Sequence, residues 1–278
     1  MKWPQVTNWG EVLFDNNYQP IRPPQWRVLG PFEVVVGGGA VVLGRPQHRI
    51  VLARLVAAAG TVVSVEALAT ELWGDDRPDD AYRTVRTYVS RLRGTIRRAT
   101  GHDDMFATRT PGYQLVLDPE TVDAVQFERL ATRGRRSLRA NQPRLAYQEL
   151  TTALALWRGE AYGTTGPGAA LAGERRRLDG LRMSAVEAQL DAALATGLDT
   201  ELVVELEGLV HSHPTRERLW GQLMTALYRS GRQADALAAF RTVRAMLIND
   251  HGVEPSPPLS EIHRRILRQD LPPVPAAV

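Results

Sequence analysis

Two stretches of this chain repeat each other 34 residues apart, and no other feature of the sequence constrains the fold as much. Val186, Leu190, Ala193, Gly197, Leu202, Leu206 and Leu209 are answered by Trp220, Met224, Leu227, Gly231, Ala236, Phe240 and Val243. A period of that size is one helix–turn–helix unit. A single unit cannot bury its own apolar face, so copies must stack. Gly231 falls in the turn, where a positive φ is often required. A weaker copy comes earlier, at Leu130, Gly134, Ser137, Asn141, Ala146, Leu150 and Ala153. Its displacement from the Val186 copy exceeds one period by 22 residues, which fall in Arg158–Asp179, a glycine-rich connection and a charged helix start. Three helix pairs and a closing helix near Leu259–Leu267 predict an all-α solenoid over residues 119–272, with a short tail at 273–278. Solenoids of this kind usually bind proteins, so a protein partner is expected there.

The N-terminal part has a different texture. Residues 1–25 read as an extension, with Trp3, Trp9 and Phe14 set among Asn, Gln and Pro. From Trp26, WRVLGPFEVVV and AVVL flank the turn Gly37–Gly39 and predict a small antiparallel sheet. No GKS or GKT follows the glycines, so they are not a phosphate loop. Pro46 opens a helix carrying Ile50, Leu52, Leu55 and Val56. Ser64 caps a second helix that buries Leu68, Leu72 and Trp73 and stops at Gly74. After a third helix, FATRTPGYQLVL predicts a hairpin around Pro111–Gly112. Asp118, Pro119 and Asp123 mark the boundary, so residues 26–118 are expected to form an α+β winged helix-turn-helix.

The third helix carries the chemistry. Val85, Val89, Leu92 and Ile96 make one apolar stripe. Arg83, Thr87, Ser90, Arg97 and Arg98 lie roughly opposite, flanked by Arg86 and Arg93. Six arginines and no acid lie between Ala81 and Arg98. A helix built only for solubility normally mixes signs to gain i,i+4 pairs. Arginine takes phosphate or guanine bidentately, and small hydroxyl residues allow close approach, so this face suits a DNA major groove. In a winged helix the second helix props the third into the groove and the hairpin reaches the backbone or minor groove. Arg109 and Thr110 sit near that hairpin tip.

Composition limits the alternatives. The net charge is only +3 over 278 residues, so position rather than total charge must attract DNA. Lys2 is the only lysine, and the absence of cysteine excludes disulfides and thiolate chemistry. No apolar run reaches the roughly 18–20 residues that span a bilayer, and the N-terminus lacks a signal-peptide core, so no membrane partner is expected. The six histidines are scattered, and no carboxylate pair, HExxH or GxSxG appears. No catalysis, cofactor, metal or small-molecule ligand is expected. Glu174–Arg177, ERRR, reads either as a solvated helix face or as a second nucleic-acid patch. A repressor, or a scaffold whose winged helix no longer binds DNA, remains open beside an activator.

From Trp26 to Leu271 the ordered series of motifs resembles the Streptomyces antibiotic regulatory protein family in its short two-domain form. WRVLGPFEV, VSVEALATELWGDD, TVRTYVSRLR and TRTPGYQLVLD resemble its response-regulator-type winged helix. ALALWRGEAY, RERLWGQLMTALYRSGRQADALAAFRTVRAML and HGVEPSPPLSEIHRRIL resemble its bacterial transcriptional activation domain, which is tetratricopeptide-like. The resemblance implies a cytoplasmic, nucleoid-associated activator of a secondary-metabolite gene cluster. It would bind direct repeats of promoter DNA near the −35 region as a side-by-side dimer and recruit RNA polymerase holoenzyme through its sigma and alpha subunits. By position, Arg83, Arg86, Thr87, Tyr88, Ser90, Arg91 and Arg93 would face DNA, Arg97 would extend that face, and Arg109 and Thr110 would be wing contacts. Gly74, Asp75, Asp76, Arg77, Asp79 and Asp80 correspond to a loop that touches polymerase. Locally, Asp79 or Asp80 is also placed to cap the third helix.

Overall fold

The computed structural model describes residues 23–58, 60–163 and 168–271. Trp3, Trp9 and Phe14 of the extension and residues 273–278 of the tail lie outside the described residues. The chain divides into two compact units. One takes in Phe32–Val122, the strand before it and residues 168–171; the other takes in Val28–Pro31, residues 123–163 and residues 172–271.

The first unit begins with an antiparallel sheet of β1 (Gln25–Arg27), β2 (Glu33–Val36) and β3 (Gly39–Ala40), in that order. Gly37 and Gly38 both have positive φ, at 60° and 89°, which is the two-residue turn whose twist matches a β-hairpin. The expected strand AVVL ends at Ala40, apart from one bond from Val41 N–H to the Val34 carbonyl. Val42 is left exposed. Three helices follow: α1 (Pro46–Ala57), α2 (Val65–Trp73) and α3 (Ala81–Thr100). Pro46 is at the first position of α1, and the Ser64 hydroxyl accepts the Ala67 N–H at 3.0 Å, capping α2. Gly74, with φ of 59°, ends α2. Leu68 and Leu72 are buried, but Trp73 is only half-buried, because it lies at the last turn where the packed face runs out.

The hairpin is β5 (Phe106–Arg109) and β6 (Gly112–Leu115). It gains a third strand that the sequence did not announce: β4 (Val63–Ser64), just before α2, pairs with β6. Only a glycine permits this approach, since a Cβ at Gly112 would overlap the Val63 carbonyl. The result is a winged helix with its wing stitched to the start of α2.

The second unit is all helical: α4 (Asp123–Arg139), α5 (Pro143–Leu154), α6 (Ala169–Thr196), α7 (Asp199–Ser212), α8 (Glu217–Arg229), α9 (Gln233–His251) and α10 (Pro257–Arg268). α4 packs on α5, α8 packs between α7 and α9, and α10 closes on α8 and α9. The three turn positions of the repeat share a left-handed backbone: Asn141 has φ of 57°, Gly197 of 91° and Gly231 of 79°. Gly134 lies so close to Leu150 that a Cβ would collide with it, which is why this helix position must be small. Leu190, Leu206, Trp220, Met224, Phe240, Leu259 and Ile266 share one continuous core. The expected architecture, a winged helix followed by an all-α tetratricopeptide-like unit, is the architecture observed.

Candidate nucleic-acid interface

The stripe Val85, Val89, Leu92 and Ile96 is buried, each residue at most 1% exposed, against α1 and α2. That burial leaves the opposite side of α3 in solvent. Tyr82, Arg83, Arg86, Thr87, Ser90, Arg91, Arg97 and Arg98 are all exposed there. The Thr87 hydroxyl donates to the Arg83 carbonyl, which keeps it short against the helix surface. Among the described residues Arg83, Arg86 and Arg91 are exposed and make no ion pair.

Three of the expected contact residues are held differently. Arg93 is half-buried, and its guanidinium donates to the Phe106 carbonyl and the Thr108 hydroxyl, both at 3.1 Å. It ties α3 to β5 and so fixes the angle between helix and wing. Tyr88 is half-buried with its ring edge-on to His48, centroids 4.8 Å apart. Arg97 pairs with Asp103 at 3.4 Å. Position on the helical stripe already sets Arg93 apart, since it adjoins Leu92 on the edge of the packed face. Its hairpin partners are a tertiary matter.

His48 is a participant that sequence reasoning missed. It lies buried at the start of α1, and its Nδ1 accepts the Arg45 N–H at 3.2 Å. Burial lowers its basicity, and the charges of Arg91 and Arg45 lower it further. It therefore supports Tyr88 as a neutral ring. Tyr82 was also missed. By spacing it prolongs the apolar stripe, three residues before Val85, yet it is 48% exposed because it stands in the first turn of α3.

The wing tip presents Arg109 and Thr110 to solvent. The Gln114 side-chain amide donates to the Gly60 carbonyl and fixes the base of the hairpin. The loop between α2 and α3 exposes Asp75, Asp76, Asp79 and Asp80, with Gly74 half-buried at its root. Arg77 folds back instead of projecting outward: it donates to the Gly74 carbonyl and the Thr70 hydroxyl and lies 3.9 Å from Glu66. Asp80 occupies the N-cap of α3, but its carboxylate accepts from the Thr84 hydroxyl and not from a backbone N–H. The Asp80 carbonyl accepts the Thr84 N–H, the first ordinary bond of the helix, so no side chain caps α3.

Arg176 and Arg177 of ERRR are exposed, as a solvated helix face requires, but two of its arginines are also held by the fold. Arg175 donates to the Ala161 and Gly163 carbonyls and pairs with Glu160, while Arg177 pairs with Glu174 and Glu128. These arginines pin the connection ahead of α6, and Arg177 reaches α4.

Comparison with known proteins agrees with this geometry. Residues 39–115 match the family model described as "Transcriptional regulatory protein, C terminal", and residues 122–267 match "Bacterial transcriptional activator domain". The chain is 39% identical to the regulatory protein DnrI of Streptomyces peucetius, over 88% of this chain and 93% of DnrI. It is 36% identical to the regulatory protein AfsR of Streptomyces griseus over 88% of its own length, which is 25% of AfsR. A solved structure of Mycobacterium tuberculosis EmbR, in complex with a low-affinity phosphopeptide, superposes with a TM-score of 0.84 at 35% identity, covering 90% of this chain and 66% of that one. A winged helix with an arginine face, joined to an activator-type helical domain, defines a transcriptional regulator and not an enzyme. Within that class, the chain belongs to the Streptomyces antibiotic regulatory protein family. Among the described residues no helix is long and apolar enough to cross a membrane.

Proposed function

We propose that this protein is a sequence-specific DNA-binding activator of a secondary-metabolite gene cluster. In this reading α3 enters the major groove, with Arg86 and Thr87 toward base edges and Arg83, Ser90 and Arg91 toward base edges or phosphates. Arg109 and Thr110 contact the neighbouring backbone from the wing. Arg97 reaches phosphate from the far end of α3. Tyr88 and Arg93 act from behind, positioning helix and wing.

The observation that carries the reading is the exposed face of α3, on which Arg83, Arg86 and Arg91 make no ion pair among the described residues. Two protomers side by side on direct repeats near the −35 region would place the loop of Gly74, Asp75, Asp76, Arg77, Asp79 and Asp80 beside RNA polymerase holoenzyme. The folded-back Arg77 leaves that loop's outward charge entirely acidic, which suits a basic surface on the sigma or alpha subunit. Selection of bound fragments from genomic DNA, followed by transcription from the winning promoter with purified polymerase, tests site, repeat spacing and sign together. Activation from a direct repeat is expected. Failure to enrich any sequence removes the DNA reading, and repression from an enriched site replaces activation.

A further inference from the structure

We propose that the end of the α4–α5 hairpin is a second surface for duplex DNA, one that holds phosphates without reading sequence. The inference rests on the DNA reading of α3. Residues 129–148 contain six arginines and no acid. The acids that bracket this run are already taken. Glu128 pairs with Arg177, and the buried Glu149 accepts from Arg133 and from the Ser137 hydroxyl. Arg136, Arg139 and Arg144 are left, all exposed and none in an ion pair among the described residues. They lie close together, because Asn141 reverses the chain between the end of α4 and the start of α5.

A solvated helix face is the ordinary explanation of such a run, and two observations count against it. Exposed arginines elsewhere in this unit are paired: Arg218 with Asp191, Arg232 with Asp235, Arg244 with Glu254 and Arg264 with Glu261. The hairpin end departs from that habit. Helix electrostatics explain only part of the departure. Arg136 and Arg139 stand in the last turn of α4, where a cation is favoured. Arg144 stands in the first turn of α5, where a cation is disfavoured and an acid is the usual occupant. Its place there gains nothing from the fold and favours an external anion. Asn141 and Gln142, exposed in the turn itself, add uncharged donors of the kind that phosphate oxygens accept. Leu145 is the one large apolar side chain listed among this stretch as exposed, so the surface lacks the apolar anchors of a protein-docking site. Arginine binds phosphate bidentately, which suits it to a duplex backbone. Both units belong to one chain, so DNA held by α3 is offered to the hairpin at the high local concentration of a tethered ligand.

The test is the affinity of the full chain for two duplexes, its selected promoter site and a scrambled sequence of equal length, across a range of salt concentrations. The triple variant Arg136→Gln, Arg139→Gln and Arg144→Gln should bind both duplexes about tenfold or more weakly at moderate salt. Its dependence on salt should flatten by about two to three powers, while the preference for the selected site stays as in wild type. Loss from both duplexes alike separates this surface from base readout by α3. All three side chains are exposed and outside ion pairs, so thermal melts should be unchanged. If the triple variant melts early, the single variants Arg139→Gln and Arg144→Gln serve instead, each flattening the dependence by about one power. Variants with wild-type affinity and wild-type salt dependence would overturn the proposal and leave the DNA reading of α3 intact. Unchanged DNA binding with reduced transcription by purified polymerase would also overturn it, and would assign the arginines to an acidic protein surface. A wild-type chain that binds neither duplex would remove the DNA reading itself, and this surface with it.

Discussion

Arg86 and Thr87 share the exposed side of α3 with neighbours of similar type, yet their expected roles differ from that of Arg93. A side chain that reads a base edge discriminates between sequences, whereas one that positions the helix affects all sequences alike. Arg86→Ala and Thr87→Ala should each cost about 1–3 kcal/mol of preference for the selected site while leaving non-specific affinity nearly intact. Footprints indistinguishable from wild type would remove both residues from base readout. Arg93→Ala, by contrast, frees the Phe106 carbonyl and the Thr108 hydroxyl and should weaken binding to every duplex tested. His48 supplies a pH signature at the same scale. Its folded basicity lies below the ordinary value of 6.5, owing first to burial and then to Arg91 and Arg45. The unfolded chain therefore takes up a proton where the folded chain does not, and stability falls as pH drops below 6.5 toward the folded value. Tyr88, packed edge-on, supplies no counter-charge. His48→Gln should remove this component, so the gap in melting temperature between wild type and variant should narrow from about pH 7.5 to about pH 5.5. A constant gap would show that the imidazole is not titrating there.

At the scale of elements, the loop between α2 and α3 separates two roles that otherwise travel together. Its aspartates lie outside the buried stripe of α3 and outside the wing contacts. Asp75→Ala with Asp76→Ala should therefore keep DNA affinity and lower transcription in a purified system. Unchanged transcription would remove polymerase contact as the loop's task. Much of this region was legible in the sequence. Ser64, Gly74 and the stripe of α3 obey local rules of capping, termination and periodicity, and all three behave as those rules require. β4 was not legible, because two residues carry no period and acquire strand geometry only by pairing with β6 at Gly112. The fate of Arg77 and of the arginines at 175 and 177 was equally hidden, since a charge run in sequence does not show which carbonyls or carboxylates lie across from it.

For the whole molecule, the small net charge of +3 makes salt dependence diagnostic. A global positive field is nearly absent, so any steep dependence must come from local arginine clusters, the face of α3 and the wing among them. Affinity should fall by about one power of salt concentration per phosphate neutralised, and Arg83→Ala should lower that slope by about one. A flat response would mean that no phosphate backbone is engaged.

The amino-acid sequence by itself determined the class of each element and the order of the units. Helical caps, the 34-residue period and the left-handed turns at Asn141, Gly197 and Gly231 are properties of residues near one another in the chain. Tertiary structure alone decided which arginines are free. Among the described residues Arg83, Arg86 and Arg91 are exposed and make no ion pair, while Arg93, Arg97, Arg175 and Arg177 are held by groups brought to them by the fold. A guanidinium has the same chemistry wherever it lies in the sequence, and only its surroundings in space settle whether it holds the protein together or is left to meet a partner.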